Sequence, residues 1–377
     1  MPRNCGNDVP VSEYRARVER LRSLAKEENV DGFFIYADAW RKGNVRYLSG
    51  YSPMAIAATP MQSALVFLPV DGEPTLYVGA PMFANEAREI SWIKDIKAIQ
   101  DIPSIFKDKQ RKIDIGICGM DLIPVIVFDL IRRGLPNAEL RESKAIYRLR
   151  LTKSPSEIAL LRRAAEITDE GIRAAVDALE QGKREDEIAR TAENAMISEE
   201  PDLHPSFAFS TVIMSGPHSE YIIWRAGRRR IRNGDFILLD FGAIYKGYTC
   251  DIARTVGLKL PKKKVDILDT VIKAHVEGRK ALKAEVKIDE VDKAARAYAE
   301  HAGYGKYFLQ TGYHATGMEQ ADVMPEGKET VLQPNMTFNV LSALFVPRLG
   351  GARIEDNMVV KHGKAEQLTK SEHELYL

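Results

Sequence analysis

The chain has 377 residues, and its 54 Lys+Arg against 53 Asp+Glu leave a net charge of 54 − 53 = +1 with 45% hydrophobic and 28% charged residues. That is a soluble globular composition at a length that calls for two domains, and a near-neutral balance argues against a dedicated nucleic-acid binder. Cys5, Cys118 and Cys250 are odd in number and show no CxxC spacing, which fits a reducing, cytoplasmic setting; the N-terminus lacks an apolar leader and apolar runs such as 123–128 are too short to span a membrane.

Taken in chain order, Tyr14, Val18, Leu21 and Ala25 recur at helical spacing up to about Asn29, and the apolar run 33–36 predicts a buried strand. A hairpin follows, from 64–68 through a turn with Asp71-Gly72 to 75–78. Residues 113–118 read as a strand and 122–133 as a helix stopped by Gly134, so the first 150 residues read as an α/β domain. Ser154-Pro155-Ser156-Glu157 is a capping box with Pro at the first helical position, opening a long amphipathic helix. The domain boundary is therefore placed near Leu151, giving units 1–150 and 151–377. In the second unit 236–244, 251–256, 336–345 and 352–360 read as strands, with helices between about 262 and 303. This half is α+β, a sheet covered by helices.

Asp240 ends a strongly apolar strand, and Asp251 follows eleven residues later, beyond a Lys246-Gly247 turn. A buried carboxylate is costly unless it is hydrogen-bonded, paired or bound to a cation. With His314, placed in a loop, and Glu355, the set holds one imidazole and three carboxylates, donors that suit Mn, Co, Fe or Zn.

At this point the chain resembles the pita-bread-fold hydrolases, which include prolidase, the Xaa-Pro and methionine aminopeptidases and creatinase. The resemblance runs over nearly the whole chain, through 44–50, 149–154, Ser215-Gly216-Pro217, 240–243 with 247–255, and 350–356. It implies a creatinase/prolidase-type N-terminal domain before a pita-bread catalytic domain, with two metal ions held by Asp, Asp, His, Glu and Glu. Carried over by position, the ligands are Asp240, Asp251, His314 and, bridging the ions, Glu355. The fourth ligand is missing, because Leu341 stands at its position in 339–343.

Two more departures accompany it. The family's proton-handling His, eight residues after Ser215 and seventeen before Asp240, falls on Ile223, and its second substrate-facing His falls on Ala321. Creatinase, which works without metal, lacks the Asp ligands that this chain keeps. By this count the ion held by Asp240, Asp251 and Glu355 keeps all its ligands, and the ion held by His314 is the weakened one. One or two divalent ions are therefore expected.

For proton transfer His218, five residues before Ile223, is the leading substitute and His204 a second; both also read as plain loop residues. Phe207, Phe209, Tyr221 and Trp224 form an aromatic group that either walls a pocket for a flat or apolar substrate or packs in the core. The resemblance further implies a homodimer in which the segment around Trp40 reaches a neighbouring subunit, where Arg41 or Arg46 could grip a substrate carboxylate. Arg353 could orient the carboxylates.

The resulting expectation is a cytoplasmic, homodimeric hydrolase that cleaves a C–N bond of a peptide-like or small amide substrate with metal-activated water, with ordinary Xaa-Pro peptidase activity in doubt. The alternatives are a creatinase-like, metal-independent C–N hydrolase and a catalytically silent ligand- or partner-binding homologue.

Overall fold

A computed structural model describes residues 8–53, 62–105, 112–199, 210–309, 312–324, 327 and 329–377. It divides into two units, Met1–Arg150 and Leu151–Leu377. In the first, the elements run α1 (Val11–Glu27), β1 (Gly32–Asp38), α2 (Gly43–Ser49), β2 (Ser63–Pro69), β3 (Thr75–Val78), α3 (Ala84–Ile90), β4 (Asp95–Ala98), α4 (Ile102–Ile105), β5 (Ile113–Cys118), α5 (Val125–Gly134), β6 (Ala138–Glu142) and α6 (Ala145–Leu151). The strands form one mixed sheet in the order β4-β3-β2-β1-β5-β6. Tyr14, Val18, Leu21 and Ala25 are all buried along α1, as their spacing requires. Helix α5 starts three residues later than its apolar pattern suggests: Pro124 holds the extended backbone of an N-cap, and Leu122 bonds back to the Gly119 turn instead.

The second unit runs α7 (Pro155–Asp177), α8 (Glu185–Ser198), β7 (Val212–Ser215), β8 (Phe236–Phe241), β9 (Ile244–Tyr245), β10 (Tyr248–Thr249), β11 (Ile252–Gly257), α9 (Lys262–Ala281), α10 (Asp289–His301), β12 (Tyr313–Ala315), β13 (Thr337–Val346), β14 (Gly350–Val359), β15 (Glu366–Gln367) and β16 (Leu375–Tyr376). Helix α7 opens as its sequence demands: Ser154 Oγ accepts from Glu157 N while the Glu157 carboxylate accepts from Ser154 N. The main sheet has the order β12-β13-β14-β11-β8-β7, with β15 paired to β14 and β16 to β11.

Alternation along the strands sets the two faces apart. Ile237, Leu239 and Phe241 pack with Ile172, Ile188 and Met196 of α7 and α8, while Leu344 and Ile354 pack with Ile267, Val271 and Ala295 of α9 and α10. The intervening positions, among them Asp240, Asn339, Leu341 and Glu355, therefore point to the opposite face. The sheet is a helix-backed platform whose free face carries the acidic residues.

Candidate metal centre

Two features bring Asp240 of β8 and Asp251, just ahead of β11, together. The β9–β10 hairpin turns at Lys246 and Gly247, both with positive φ (45° and 80°), the geometry of a tight two-residue hairpin turn. Gly242, just after Asp240, lies so close to the Cys250 carbonyl that a Cβ there would fall 1.8 Å from the oxygen. Only glycine permits that approach, and it sets Asp251 beside the end of β8. Glu355 then enters from β14, since Ala253 pairs with both Asp240 and Glu355.

His314 stands on strand β12, not in a loop, and pairs across to Asn339. Three residues are too few to show a strand's alternation in sequence, which is why 313–315 reads as loop. Its Nδ1 lies 3.1 Å from the Ala315 carbonyl and its Nε2 lies 3.2 Å from Asp251 Oδ2. With Nδ1–H donated to that carbonyl and Nε2–H to Asp251, loss of the Nε2 proton would turn its lone pair towards the carboxylates, the arrangement typical of metal-ligating histidines.

One ligand atom each from Asp251, His314 and Glu355 lies within 4.8 Å of the others. Gln320 Nε2 donates to Asp251 Oδ2 at 2.8 Å, and Asn339 Nδ2 donates to Glu355 Oε2 at 2.8 Å. Asp251 Oδ1 is buried and has no hydrogen-bond partner among the described residues. An orphaned, buried carboxylate oxygen beside an imidazole and a second carboxylate fits a divalent ion.

Asp240 is placed differently from expectation. Arg353 Nη1 donates to its Oδ2 at 2.5 Å and lies 3.5 Å from Glu355 Oε1, so a guanidinium occupies the side of the cluster that the ligand count marks as complete. The convergent group is the one built on His314, with Asp240 held beside it by Arg353. The reason is visible in the register: Leu341 lies directly opposite Glu355 and offers no donor, while Arg353, two residues before Glu355 on the same face, supplies positive charge from the other side.

Electrostatics follow from this crowding. Burial, then the charge of Glu355, pushes Asp240 well above the usual carboxylate range; burial, then the charge of Asp251, carries Glu355 up to about 6. Burial opposes the charged form of His314, but the hydrogen bond and charge of Asp251, with Glu355 behind them, more than offset it and raise the imidazole to about 9. Arg353 behaves alike: burial works against its charge and the three carboxylates hold it protonated.

A short turn borders this cluster. Arg353 Nη2 also donates to the Ile222 carbonyl. From there Tyr221, Ile222, Ile223 and Trp224 run in succession with relative exposures of 53, 55, 67 and 44%. Four consecutive exposed apolar residues are rare on a soluble surface without a binding role. Trp224 stacks on Tyr221, centroids 5.0 Å apart, and tilts over His218 at 5.3 Å.

His218 is held from behind by Glu185, a residue the sequence reading missed: its fully buried carboxylate lies 2.9 Å from His218 Nδ1 and accepts from Ser215 N, Ser215 Oγ and Gly227 N. In sequence, Glu185 reads only as one of three acids in the first turn of α8, and nothing there marks it as different. Ala321, the position of the family's second His, is exposed. His204, Phe207 and Phe209 lie outside the described residues.

In the first unit, Arg46 grips Asp8 with two bonds, Nε to Oδ2 at 2.7 Å and Nη2 to Oδ1 at 2.9 Å. Its fork is thus engaged within its own unit, contrary to the expectation that it could clamp a substrate. Arg41 is half-exposed and pairs with Asp121 at 3.3 Å, while Asp38 Oδ1 accepts from the Trp40 and Arg41 main-chain N–H groups.

A sheet backed by helices on one face, with carboxylates and an imidazole gathered on the other, is the catalytic architecture of the pita-bread metallohydrolases. The chain belongs to metallopeptidase family M24, whose model matches residues 159–362, and residues 17–152 match the creatinase/prolidase N-terminal domain. An Xaa-Pro dipeptidase of Pyrococcus furiosus is 31% identical over 374 residues, 96% of this chain and 99% of that protein. The crystal structure of the prolidase from Pyrococcus horikoshii superposes with a TM-score of 0.85 at 28% identity, covering 96% of this chain and 99% of that one. An Xaa-Pro dipeptidase from Bacillus anthracis gives 0.84 at 27%, covering 97% of this chain and all of the other. The chain is accordingly a metal-dependent hydrolase of this family.

Proposed function

We propose that the chain hydrolyses the C–N bond of a dipeptide-like or small amide substrate at a centre built for one divalent ion, drawn from Mn, Co, Fe or Zn. The observation that carries this reading is the orphaned Asp251 Oδ1 inside the convergent Asp251, His314 and Glu355 group. These three residues would hold the ion, and catalysis would reside in 151–377. Charge supports one ion: the carboxylates of Asp240, Asp251 and Glu355 less the Arg353 guanidinium leave −2 with His314 neutral, which one divalent cation balances. When bound, such an ion supplies Lewis acidity and a water acidic enough to act near neutral pH.

The protein's own groups have separate tasks. Arg353 neutralises Asp240 and anchors the Ile222 turn. Asn339 and Gln320 orient the Glu355 and Asp251 carboxylates. His218, steered by Glu185 through Nδ1, has Nε2 to move a proton, in place of the histidine that Ile223 replaces. Tyr221 and Trp224 offer a flat apolar wall for the substrate, and Arg41 of a neighbouring subunit could grip a substrate carboxylate by giving up its pairing with Asp121. The named relatives are Xaa-Pro dipeptidases, so Xaa-Pro dipeptides head the substrate panel.

The closing test is hydrolysis of Xaa-Pro dipeptides, creatine-like compounds and small acylated amides by protein loaded with Mn or Co and by chelated protein. Turnover that needs the ion supports the reading. Turnover unaffected by chelation would favour a creatinase-like route, and metal-free binding without turnover a silent homologue. A homodimer in the cytoplasm completes the reading: Cys118 and Cys250 are buried free thiols, which suits a reducing compartment, and sedimentation or light scattering reads the assembly directly.

A further inference from the structure

Behind Glu355 the sheet opens. The register between β11 and β14 is the single pair Ala253 and Glu355, and side chains take over where the ladder stops. Thr255 Oγ1 donates to Arg353 O at 3.0 Å and accepts from Arg353 N at 2.8 Å. Asn357 Nδ2 donates to Asp251 O at 3.0 Å. Arg254 Nη1 donates to Glu355 O at 2.6 Å and to Ala253 O at 2.8 Å. Strand β11, which Asp251 immediately precedes, and strand β14, which carries Glu355, are therefore spaced by side chains, and the fully buried Arg254 is the longest of these spacers.

Arg254 is itself fixed by Asp356, the neighbour of Glu355 that points to the helix-covered face. Asp356 Oδ1 accepts from Arg254 Nη2 at 2.7 Å and from Thr369 Oγ1 at 2.8 Å. Its Oδ2 accepts from Nε2 of His275 and of His373, each at 2.8 Å, and from Arg279 Nη1 at 3.3 Å. Two histidines and an aspartate so disposed also match a metal-ligand group, but Arg254 and Arg279 rule against it: a divalent ion there would leave −1 + 2 + 2 = +3 buried. The donors come from β11, from α9 and from the segment 369–373, whose Ser371 carbonyl accepts from Arg254 Nη2 at 2.8 Å. Asp169 on α7 holds the same segment, accepting from Ser371 N at 2.9 Å and Lys370 N at 2.7 Å.

We propose that Asp356, with Arg254, Thr369 and His373, is a positioning latch that sets the spacing of β11 and β14, and so of Asp251 and Glu355, and thereby the affinity of the metal centre. The inference rests on the reading of Asp251 and Glu355 as metal ligands. None of the four latch residues would touch ion or substrate. Each acts through the main chain of Glu355, and the outermost, His373, sits near the surface at the end of the chain of contacts.

The test uses His373→Ala, His373→Gln and Thr369→Val in the full chain, each checked for native circular dichroism. Cobalt affinity is measured by calorimetry and hydrogen exchange is followed at the amides of 353–357. Loss of the donor in His373→Ala and Thr369→Val is expected to weaken cobalt binding about tenfold and to speed exchange at 353–357, while the glutamine variant, which keeps an N–H for Asp356, restores both. Unchanged cobalt affinity in the folded alanine and valine variants overturns the latch even where exchange quickens, because the network is then only structural. If the wild-type chain takes up no cobalt, the metal reading itself fails. The latch then loses its premise and fails with it, an outcome distinct from the unchanged affinity in folded variants that overturns the latch on its own.

Discussion

Arg353 Nη1 lies 2.5 Å from Asp240 Oδ2, inside the carboxylate cluster and on the strand that also carries Glu355. Both side chains are buried, so the pair fixes how much negative charge the centre presents. Removing one partner of a buried ion pair costs about 3–5 kcal/mol. Arg353→Met should therefore destabilise the metal-free protein by roughly that amount at neutral pH, as read by urea unfolding. The loss should shrink on acidification, because burial and the charge of Glu355 raise Asp240 above the usual carboxylate range, and its protonation removes the charge that Arg353 answers. Added Mn or Co should recover more stability in the variant than in the parent.

Leu341 faces Glu355 across β13 and β14. Leu341→Glu puts a fourth carboxylate into a group whose members already repel one another. Metal-free protein should lose about 1–3 kcal/mol, and metal content after dialysis against Mn should rise towards two ions per chain. A variant that stays at one ion and binds it no differently would show that Leu341 does not limit the centre.

Glu185 and His218 form the one carboxylate–imidazole pair bordering the apolar turn among the described residues. On a substrate that the parent hydrolyses, His218→Gln should lower kcat about 10²–10⁴-fold with little change in KM, the range for losing a general acid or base. Glu185→Gln should give a smaller loss and move the pH profile of kcat. Equal kcat in parent and both variants would assign the pair to structure alone.

Burial holds His275 down at about 4, despite the hydrogen bond and charge of Asp356 that act in the other direction. An unfolded histidine titrates near 6.5. Between about pH 6.5 and 4 the unfolded chain therefore takes up a proton that the folded chain refuses, and stability falls as pH falls, by at most about 1.4 kcal/mol per pH unit. The contribution is complete above 6.5 and spent below about 4. Asp356, held well below the usual carboxylate range despite its burial, chiefly by Arg254 and His275, loses its own contribution only at lower pH. His275→Gln, measured by urea unfolding at pH 7 and pH 5, should flatten the first slope.

Much of the architecture is legible in residue patterns: the α1 stripe, the 63–78 hairpin, the Ser154 capping box and the Lys246-Gly247 turn each report a local rule, and local rules survive folding. The acidic and imidazole residues are legible because Asp240 interrupts an apolar strand, where a charge needs a reason. What the sequence conceals is which partner each charge finds. Arg353 reads as one more basic residue until β14 meets β8, and Glu185 reads as ordinary helix-start acidity until 215–218 folds onto it. Likewise the ligand count, made along the chain, points to the Asp240 side as intact, whereas cross-strand register places a guanidinium there.

The account stands most directly on metal stoichiometry. Protein purified without chelators, saturated with Mn or Co, desalted and analysed for metal by mass spectrometry should hold one ion per chain, lost in Asp251→Asn and in His314→Gln. Two tightly held ions, or one ion that survives His314→Gln but is lost in Asp240→Asn, would contradict it.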